Sequence, residues 1–229
     1  MPSPPRLETA RERPARRRAL TVDAIVDAAL GIVDAEGLDA LTMRSVAAAL
    51  GTGAASLYAY VESKERLVEL VVERVIGEMG FEGEPDPGRW MEQLKEMARG
   101  MRQVWARHGD LARASFGRIP VGENALAGSE WMIGVLRAGG LPDRVVGFAC
   151  DLLPLYITAV AYEDSLMAAG DHSYEDVLAF IAELREYLAA QGERYPAVAA
   201  MAGALTAGDH NSRFEFGLDV ILRGLASYQ

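Results

Sequence analysis

The segment from Thr42 to Lys64 combines side chains that bind phosphates and base edges with the pattern of two short helices. Residues 42–61 have the sequence TMRSVAAALGTGAASLYAYV, and Ser63 and Lys64 follow shortly after. An arginine just inside a helix start can reach guanine or a phosphate, and a lysine at the next helix start suits a phosphate. The chemistry that this segment offers is nucleic-acid binding, with Arg44 and Lys64 as its cations.

The apolar positions of this segment have the pattern of a helix-turn-helix. The inner faces of its two short helices would be formed by Val46, Leu50, Leu57 and Tyr60. Ala47 is small enough for the point where the helices cross, and Gly51 supplies a turn residue that tolerates positive φ. The second helix of such a unit lies in the major groove with its N-terminal residues against base edges. On this pattern alone, a plain helical hairpin remains an alternative.

Helices predicted on both sides of this segment would position it. Thr21 as N-cap and Gly37 as a terminating glycine bound a first helix whose apolar residues recur at helical spacing. Thr42 and Ser63 are the expected caps of the second and fourth helices. The second, third and fourth helices are predicted over residues 43–50, 54–60 and 63–80.

The rest of the chain continues as helices separated by glycine and proline signals. We expect them at roughly 89–108, 110–117, 123–138, 143–169, 174–190 and 211–227. The acidic run FEGEPDP at 81–87 is the strongest break between subregions, and convincing strand alternation occurs nowhere. The predicted fold class is all-α, with a three-helix N-terminal helix-turn-helix unit followed by a larger helical body.

The formal charge of −10 would argue against a nucleic-acid partner, but this charge is unevenly distributed. Residues 1–64 carry eight Lys or Arg against eight acids, whereas residues 65–229 carry fifteen against twenty-five. Residues 1–20 hold six arginines against two acids, together with four prolines, and are predicted to form a flexible basic arm. The excess negative charge therefore belongs to the helical body.

Other reactive residues lack the neighbours that their chemistry needs. The single cysteine, Cys150, excludes a disulfide framework and a multi-cysteine zinc site. The histidines at 108, 172 and 210 do not have metal-ligand spacing. His108, Asp110 and Ser115 suggest a catalytic triad, but no nucleophile elbow or oxyanion device accompanies them. We expect no enzyme activity, no cofactor and no metal site.

One stretch, 145–162, is long and apolar enough to cross a membrane. Asp151 and Pro154 interrupt it near the middle, and a charge at that depth is costly, so a buried helix of a soluble protein is the preferred interpretation. The N-terminus is polar and lacks the apolar stretch of a signal peptide. We expect a cytoplasmic protein with no membrane partner.

Residues 20–69 resemble the DNA-binding region of TetR-family transcriptional repressors. The glycine after the first helix, the Leu-Thr-x-Arg entry to the second, the Leu-Tyr pair and the Lys-x-x-Leu exit all match that region. The likeness continues towards the tetracycline repressor's own subgroup. Residues 101–120 are similar to its ligand-pocket helix and turn, 162–164 to the site of its Glu-Asp pair, and 214–225 to its terminal dimerisation helix.

The resemblance implies a homodimer that binds double-stranded operator DNA and is released by a small-molecule effector. Its domains would be the arm at 1–20, a DNA-binding domain at 21–66, and a ligand-binding and dimerisation domain at 67–229. Helices near 143–169 and 211–227 would form the dimer interface. Ligand and operator would favour different spacings of the two heads, so that each weakens binding of the other, with helix 63–80 as the lever.

Nine positions match the family's DNA-contact region. They are Thr42, Arg44, Gly53, Ala54, Ala55, Ser56, Tyr58, Tyr60 and Lys64. Arg44 is the expected base contact, bidentate to guanine, while Ser56 would donate to a base or a phosphate. Ala54 or Ala55 would meet a thymine methyl group.

Thr42, Lys64 and the two tyrosines would hold phosphates, although core packing is an alternative for both tyrosines and an equal one for Tyr60. The second short helix begins Gly-Ala-Ala at 53–55 and so offers no long polar side chain. A second function class therefore stays open, namely a helical sensor or adaptor whose main partner is another protein and whose DNA binding is incidental.

Tetracycline with its magnesium ion is not the expected effector. The position that matches the tetracycline repressor's metal-binding histidine is Ser115, and Glu163 alone does not make a site for a hard cation. We expect a small, largely apolar or aromatic molecule. The candidate wall residues are Met97, Met101, Trp105, Phe116, Ile119, Trp131, Tyr156 and Glu163. Methionine and aromatic side chains at helical spacing are often plain core residues, and this alternative stays open for each.

Deleting residues 1–18 is expected to weaken DNA binding and to flatten its dependence on salt. The deletion removes six arginines, and the slope of log K against log salt concentration falls by about 0.9 for each phosphate that is no longer neutralised. Fluorescence anisotropy of a labelled duplex, titrated at several salt concentrations, measures both quantities. A truncated protein with an unchanged slope would show that the arm does not bind phosphates.

Overall fold

The computed structural model describes residues 20–170 and 173–229, and its regular structure within these ranges is entirely helical. The predicted all-α fold class is confirmed. Residues 1–19 of the predicted basic arm, and His172, lie outside the described residues. The described helices are α1 Val22–Glu36, α2 Met43–Ala49, α3 Ala54–Leu57, α4 Lys64–Ile76, α5 Trp90–Arg107, α6 Gly109–Ser115, α7 Glu123–Ala138, α8 Asp143–Ala169, α9 Tyr174–Ala189, α10 Pro196–Leu205 and α11 His210–Ala226.

The ends of the first helices follow local sequence signals. The Thr21 hydroxyl accepts a hydrogen bond from Ala24 N at 3.1 Å where α1 begins, and Gly37, with a φ of 85°, follows its last residue. The hydroxyls of Thr42 and Ser63 cap α2 and α4 in the same way. These caps satisfy backbone donors that the start of a helix leaves without a partner.

α1, α2 and α3 form a three-helix head around a small core. Val46, Ala47, Leu57 and Val61 are 0–3% exposed at its centre. Gly51 makes the turn between α2 and α3 with a φ of 63°, as the predicted helix-turn-helix requires. A 3-10 turn over Leu38–Ala40 joins α1 to α2.

α3 is shorter than predicted, and this moves one side chain from the core to the surface. The N–H groups of Tyr60 and Val61 both donate to Leu57 O at 2.9 Å, so the chain turns away from the helix axis after Leu57. Tyr60 is consequently 46% exposed. The expectation that Tyr60 belongs to the inner apolar face is wrong.

α4 belongs to the head and to the body at once. It packs against α1, α6 and α7, and its buried residues are Leu67, Val68, Val71, Val72, Val75 and Ile76. Arg74 pairs with Asp23 and Asp27 of α1 at 2.8 and 2.7 Å. The helix ends at Ile76, before the predicted residue 80, and the expected domain boundary at 66/67 falls inside it.

The body is built around α8, which packs against α5, α6, α7 and α11. The residues of α8 that face these neighbours are Val146, Ala149, Leu153, Ile157, Thr158 and Ala161. Among the described helices, α8 is the one long and apolar enough to cross a membrane by length and composition, a test that core helices also pass. One face of α8 packs in the core, but only 33% of its most apolar stretch is buried, so the expected buried helix is only partly buried; Pro154 lies within it.

α9 and α10 form a hairpin whose helices pack mainly on each other. α10 was not predicted from the sequence. Its residues, PAVAAMAGAL, are almost uniformly apolar and small, so they show no alternation between a buried and a solvated face. The available signal was Pro196 at the first helical position, where proline is favoured.

Replacing Gly51 by alanine is expected to destabilise the protein by roughly 1–2 kcal/mol, because a Cβ disfavours left-handed backbone. Its φ is +63°. Gly31→Ala is the matched control, since Gly31 lies inside α1 with no atom within 4 Å of an added Cβ. That change should stabilise the protein by about 0.5–1 kcal/mol. Urea unfolding followed by circular dichroism measures both, and effects of the same sign would contradict the assigned turn.

Candidate functional site

The positions predicted to contact DNA lie along the head from the start of α2 to the start of α4. Seven of them are exposed, namely Thr42, Arg44, Gly53, Ala55, Ser56, Tyr58 and Tyr60. Ala54 and Lys64 are half-buried. The apolar residues between them, such as Val46 and Leu57, fill the core of the head. All nine predicted positions thus remain outside the innermost core, and their contact with DNA stays a prediction.

Arg44 and Lys64 stand apart from the other cations in the described ranges. Every other lysine and arginine there has an ion pair, a hydrogen bond or an aromatic ring contact. Arg44 lies in the first turn of α2, and Lys64 is the first residue of α4. Of the described cations, the two without a partner therefore both lie on the helix-turn-helix surface, where they can bind phosphates or base edges.

Thr42 has a structural task in addition to its predicted phosphate contact. Its hydroxyl accepts from Ser45 N at 2.9 Å, and the Ser45 hydroxyl accepts from Thr42 N at 2.9 Å. This reciprocal capping box fixes the first turn of α2. It thereby holds the backbone that carries Arg44, and a phosphate contact of the Thr42 hydroxyl would compete with the cap.

Tyr58 and Tyr60 lie in the turn that follows α3, and they are 54% and 46% exposed. This exposure argues against core packing, the alternative weighed for Tyr60, and leaves both phenol groups available as donors to phosphate oxygens. The neighbouring residues Gly53, Ala54 and Ala55 present only backbone and methyl groups. Contacts of the α3 start with base edges are therefore limited to small apolar surfaces and Ser56.

The body contains a cavity of about 690 Å³, lined by residues of α4 to α8. Small-molecule sites commonly have volumes of about 300–1,000 Å³ and mostly apolar walls. The apolar part of this wall includes Val72, Ile76, Met79, Phe81, Met97, Met101, Trp105 and Met132. The cavity has the size and the lining to hold a small apolar or aromatic molecule.

Five of the eight predicted wall residues line this cavity, namely Met97, Met101, Trp105, Phe116 and Ile119. The first three recur every four residues along α5, so they share one helix face. Met132, Cys150 and Thr158 also line the cavity and were not predicted from the sequence. For the last two, the signal was the same four-residue spacing on α8, with Pro154 between them.

The other three predicted wall residues do not line the cavity, so the expectation for them is corrected. Trp131 Nε1 donates to Gly83 O at 2.8 Å and so anchors the loop before α5. The Tyr156 hydroxyl donates to Phe214 O at 2.9 Å, and its ring stacks on that of Phe214, which joins α8 to α11. Glu163 is an exposed residue near the end of α8.

Polar groups in the cavity wall are few. Burial raises the pKa of the Cys150 thiol, so the thiol stays protonated at neutral pH and behaves as a small apolar group. Thr158 is buried, and the charged lining residues are Arg118 and Asp151. Within the described ranges, no three His, Cys, Asp or Glu side chains are placed to hold a metal ion.

The three residues that suggested a catalytic triad have separate partners. His108 Nδ1 lies 2.7 Å from Asp34 Oδ1, at the end of α1. Asp110 Oδ2 accepts a hydrogen bond from Leu38 N at 2.7 Å. The Ser115 hydroxyl donates to a backbone carbonyl of its own helix, α6. The first two contacts join the start of α6 to the head instead of forming a reactive site.

α6 and α4 both reach from the head to the cavity. The start of α6 contacts the head through Asp110, and its last residue, Ser115, lines the cavity. α4 contacts α1 through Arg74, and its residues Val72 and Ile76 line the cavity. A molecule that displaces the cavity wall therefore acts on two helices that hold the head.

Exposed apolar side chains recur on α8 and α11, which pack against each other. On α8, Phe148, Leu152 and Leu155 are 62%, 45% and 47% exposed. On α11, Phe216 and Val220 are 71% and 55% exposed. Spacings of three and four residues place each set on one helix face. Exposed apolar patches of this kind mark protein interaction sites.

Both parts of the chain match known proteins. Residues 25–71 match the family of bacterial regulatory proteins named after tetR, and residues 82–228 match the tetracyclin repressor-like C-terminal domain. The HTH-type transcriptional repressor DrrR1 of Streptomyces coeruleorubidus is 34% identical over 220 residues, which cover 93% of this chain and 80% of the relative. A tetracycline repressor of class E from Escherichia coli is 31% identical over 102 residues, which cover 44% of this chain and 48% of the relative.

Solved structures of one relative superpose on most of the chain. ActR from Streptomyces coelicolor without ligand is 43% identical, with a TM-score of 0.81 over 91% of this chain and 95% of that chain. ActR in complex with actinorhodin gives the same identity and a TM-score of 0.82 over 91% and 96%. Sequence and fold agree along head and body alike, and the chain belongs to the TetR family, as a ligand-responsive transcriptional repressor.

Proposed function

We propose that this repressor binds double-stranded operator DNA as a homodimer and that a small, largely apolar or aromatic effector releases it. The observation that carries the DNA contact is the pair of cations without a partner, Arg44 and Lys64. Eleven of the other fifteen lysines and arginines of the described ranges pair with a carboxylate, and the remaining four contact an aromatic ring or an uncharged oxygen, so Arg44 and Lys64 are the two that are left without a partner. The residue roles in DNA binding remain those expected from the sequence, with Arg44 at a base edge and Lys64 at a phosphate.

The apolar faces of α8 and α11 support the proposed dimer. A second copy of the chain would cover Phe148, Leu152 and Leu155 on one helix and Phe216 and Val220 on the other. The sequence predicts a dimer interface at residues 143–169 and 211–227, which correspond to these two helices. A dimer of this kind carries two heads, which read successive major grooves when they are about 34–36 Å apart.

The effector is proposed to occupy the cavity of the body. ActR, the relative compared above, has been solved with actinorhodin and with (S)-DNPA. The wall residues that we retain are Met97, Met101, Trp105, Phe116 and Ile119. Their thioether and aromatic surfaces suit a flat, polarisable molecule. Trp131, Tyr156 and Glu163 are left out, because the first two bond to backbone carbonyls elsewhere and Glu163 is exposed outside the cavity wall.

Effector and operator would be coupled through α4 and α6. Both helices line the cavity and contact the head, so an effector that shifts them changes the position of α2 and α3. Binding of either ligand then weakens binding of the other by the same factor. We place the division between head and body within α4, near the proposed boundary at 66/67.

The chain is proposed to act in the cytoplasm and by binding alone, without catalysis and without a membrane partner. The relatives compared above are transcriptional regulators. The alternative of an adaptor protein rested on the short side chains at 53–55. It receives no support from the matches, which extend over both the DNA-binding and the ligand-binding parts.

Arg44→Ala is expected to weaken binding to the operator by about 1–3 kcal/mol, with little change for unrelated DNA, because the variant cannot bind a base edge at this position. Lys64→Ala is the matched change, and it should weaken binding to every duplex alike because it leaves one phosphate without its cation. Anisotropy titrations with the promoters that flank the gene and with a scrambled duplex measure both.

Two results would count against this assignment. If Arg44→Ala leaves the preference for the operator unaltered, Arg44 makes no base contact. If the wild-type protein shows no preference for any flanking promoter at moderate salt, the proposed operator binding fails.

Asp110→Ala is expected to loosen the head and to reduce the coupling between effector and operator. The change removes the carboxylate that accepts from Leu38 N at 2.7 Å, a charge-assisted bond worth about 1.5–3 kcal/mol. Hydrogen exchange around residues 38–41 should accelerate, and actinorhodin should weaken operator binding by a smaller factor than in the wild type. Glu96→Ala is the control, because Glu96 of α5 pairs with Arg89 and both side chains are exposed. A variant with wild-type exchange and release would contradict the assignment.

A further inference from the structure

Arg118 is the one cation among the described residues that line the cavity. It lies in the loop between α6 and α7, and its Nε donates to Ala114 O at 2.9 Å, which fixes the base of the guanidinium group. Its Nη1 lies 3.4 Å from Oε1 of Glu69, a residue of α4. A guanidinium group has five N–H donors, so most of its binding capacity remains for a further partner.

The contact between Arg118 and Glu69 is one that a ligand can replace. It is long, and the two side chains are 37% and 46% exposed. Ion pairs of this kind contribute little to stability. Glu69 also has a second cation, Arg66, at 2.9 Å on the same helix. When Arg118 turns to another anion, Glu69 therefore keeps one partner, and α4 loses its ion pair with the loop but keeps the hydrogen bonds between Glu73 and Asn124.

We propose that the effector is an aromatic carboxylic acid whose carboxylate replaces Glu69 as the partner of Arg118. This inference rests on the proposed function, and it names the chemical class of the effector and the contact through which it acts. Arginine binds a carboxylate through two parallel N–H···O bonds, which are stronger than a single long contact to an exposed side chain. The ring system of the effector lies against Met97, Met101 and Trp105.

The second charged wall residue gives the effector an orientation. Asp151 is an exposed residue of α8, whereas Arg118 lies in the loop after α6. Repulsion from Asp151 disfavours a carboxylate at the α8 side, and attraction to Arg118 favours it at the loop. An acid and its neutral amide thus differ in affinity at Arg118, although they fill the apolar wall alike.

The exchange also links binding to release from DNA. Without effector, Arg118 of the loop contacts α4 at Glu69, and α4 contacts α1 through Arg74. With the acid bound, Arg118 no longer contacts α4. A neutral effector of the same shape leaves the Arg118–Glu69 contact in place, so it weakens operator binding by a smaller factor than the acid.

Two probes with the same ring system test the class of effector, namely anthraquinone carboxylate and anthraquinone carboxamide. Isothermal titration calorimetry of the full-length wild type should give an affinity for the acid at least about tenfold above that for the amide, as expected for a charged hydrogen bond. In Arg118→Gln the two affinities should become equal. Arg137→Gln, which removes an equal charge from an exposed site on α7 outside the cavity, should retain the preference.

Glu69→Gln tests the exchange. This variant weakens the competing contact, so it should bind the acid at least as tightly as the wild type. The acid should nevertheless show no advantage over the amide in releasing operator DNA, because the contact that it breaks is already weak. Anisotropy of labelled operator DNA, titrated with protein in the presence of saturating acid or amide, measures this advantage.

The measurements test the effector class, the exchange at Arg118 and the effector control separately. Equal affinities of the wild type for acid and amide overturn the proposed effector class, even if both probes release DNA and so uphold the proposed function. A second outcome is that the wild type binds the acid more tightly than the amide, while the acid keeps its advantage in releasing operator DNA from Glu69→Gln. This result overturns the proposed exchange, because Glu69 is then not the residue that the acid replaces. If neither probe nor actinorhodin changes operator affinity of the wild type, the proposed effector control fails, and this inference fails with it.

Discussion

The burial of α4 between head and body is the constraint on which the rest of the structure depends. Leu67, Val71 and Val75 have no exposed surface, and they face α1 on one side and α6 and α7 on the other. Protein cores are close-packed, so a helix buried in this way cannot shift alone. A displacement of α4 therefore changes the position of the three-helix head relative to the cavity. A change in the shape of the cavity wall is transmitted to the head through the same helix.

The elements that the sequence predicted well are those with local signals at their ends. Thr21, Thr42 and Ser63 each cap the helix that they were expected to start, and Gly51 turns the chain at positive φ, because these preferences depend only on neighbouring backbone. α3 was predicted too long, since the bond pattern at Leu57 that ends it is not encoded by a proline or a glycine.

The candidate site was predictable where one helix face builds it. Met97, Met101 and Trp105 were found by their spacing along α5. Trp131 and Tyr156 were misplaced because their polar atoms have partners that are distant in sequence, at Gly83 and Phe214. The unpartnered state of Arg44 and Lys64 was equally invisible from the sequence. It depends on which carboxylates, uncharged oxygens and aromatic rings the fold brings near the other cations.

The charged residues of the head differ in net sign and in role from those that precede it. Residues 20–64 contain two cations and six acids, so this part of the head is acidic, and the arginines precede it. Three of the acids, Asp23, Asp27 and Asp34, contact Arg74 and His108. These carboxylates would repel a phosphate backbone. They instead form contacts between the head and the body, where neighbouring basic side chains partly offset their negative charge.

Pro154 interrupts the backbone hydrogen bonds of α8 at the wall of the cavity. Because proline has no N–H, the carbonyl of Cys150 lacks its usual helical donor, and both residues line the cavity. The wall therefore has a donor at Arg118, a carboxylate at Asp151 and, at Cys150, a helix turn that lacks one backbone hydrogen bond. Three chemically different points on an irregular surface distinguish a molecule from its mirror image. Chirality, as well as size and charge, becomes a property that this cavity can select.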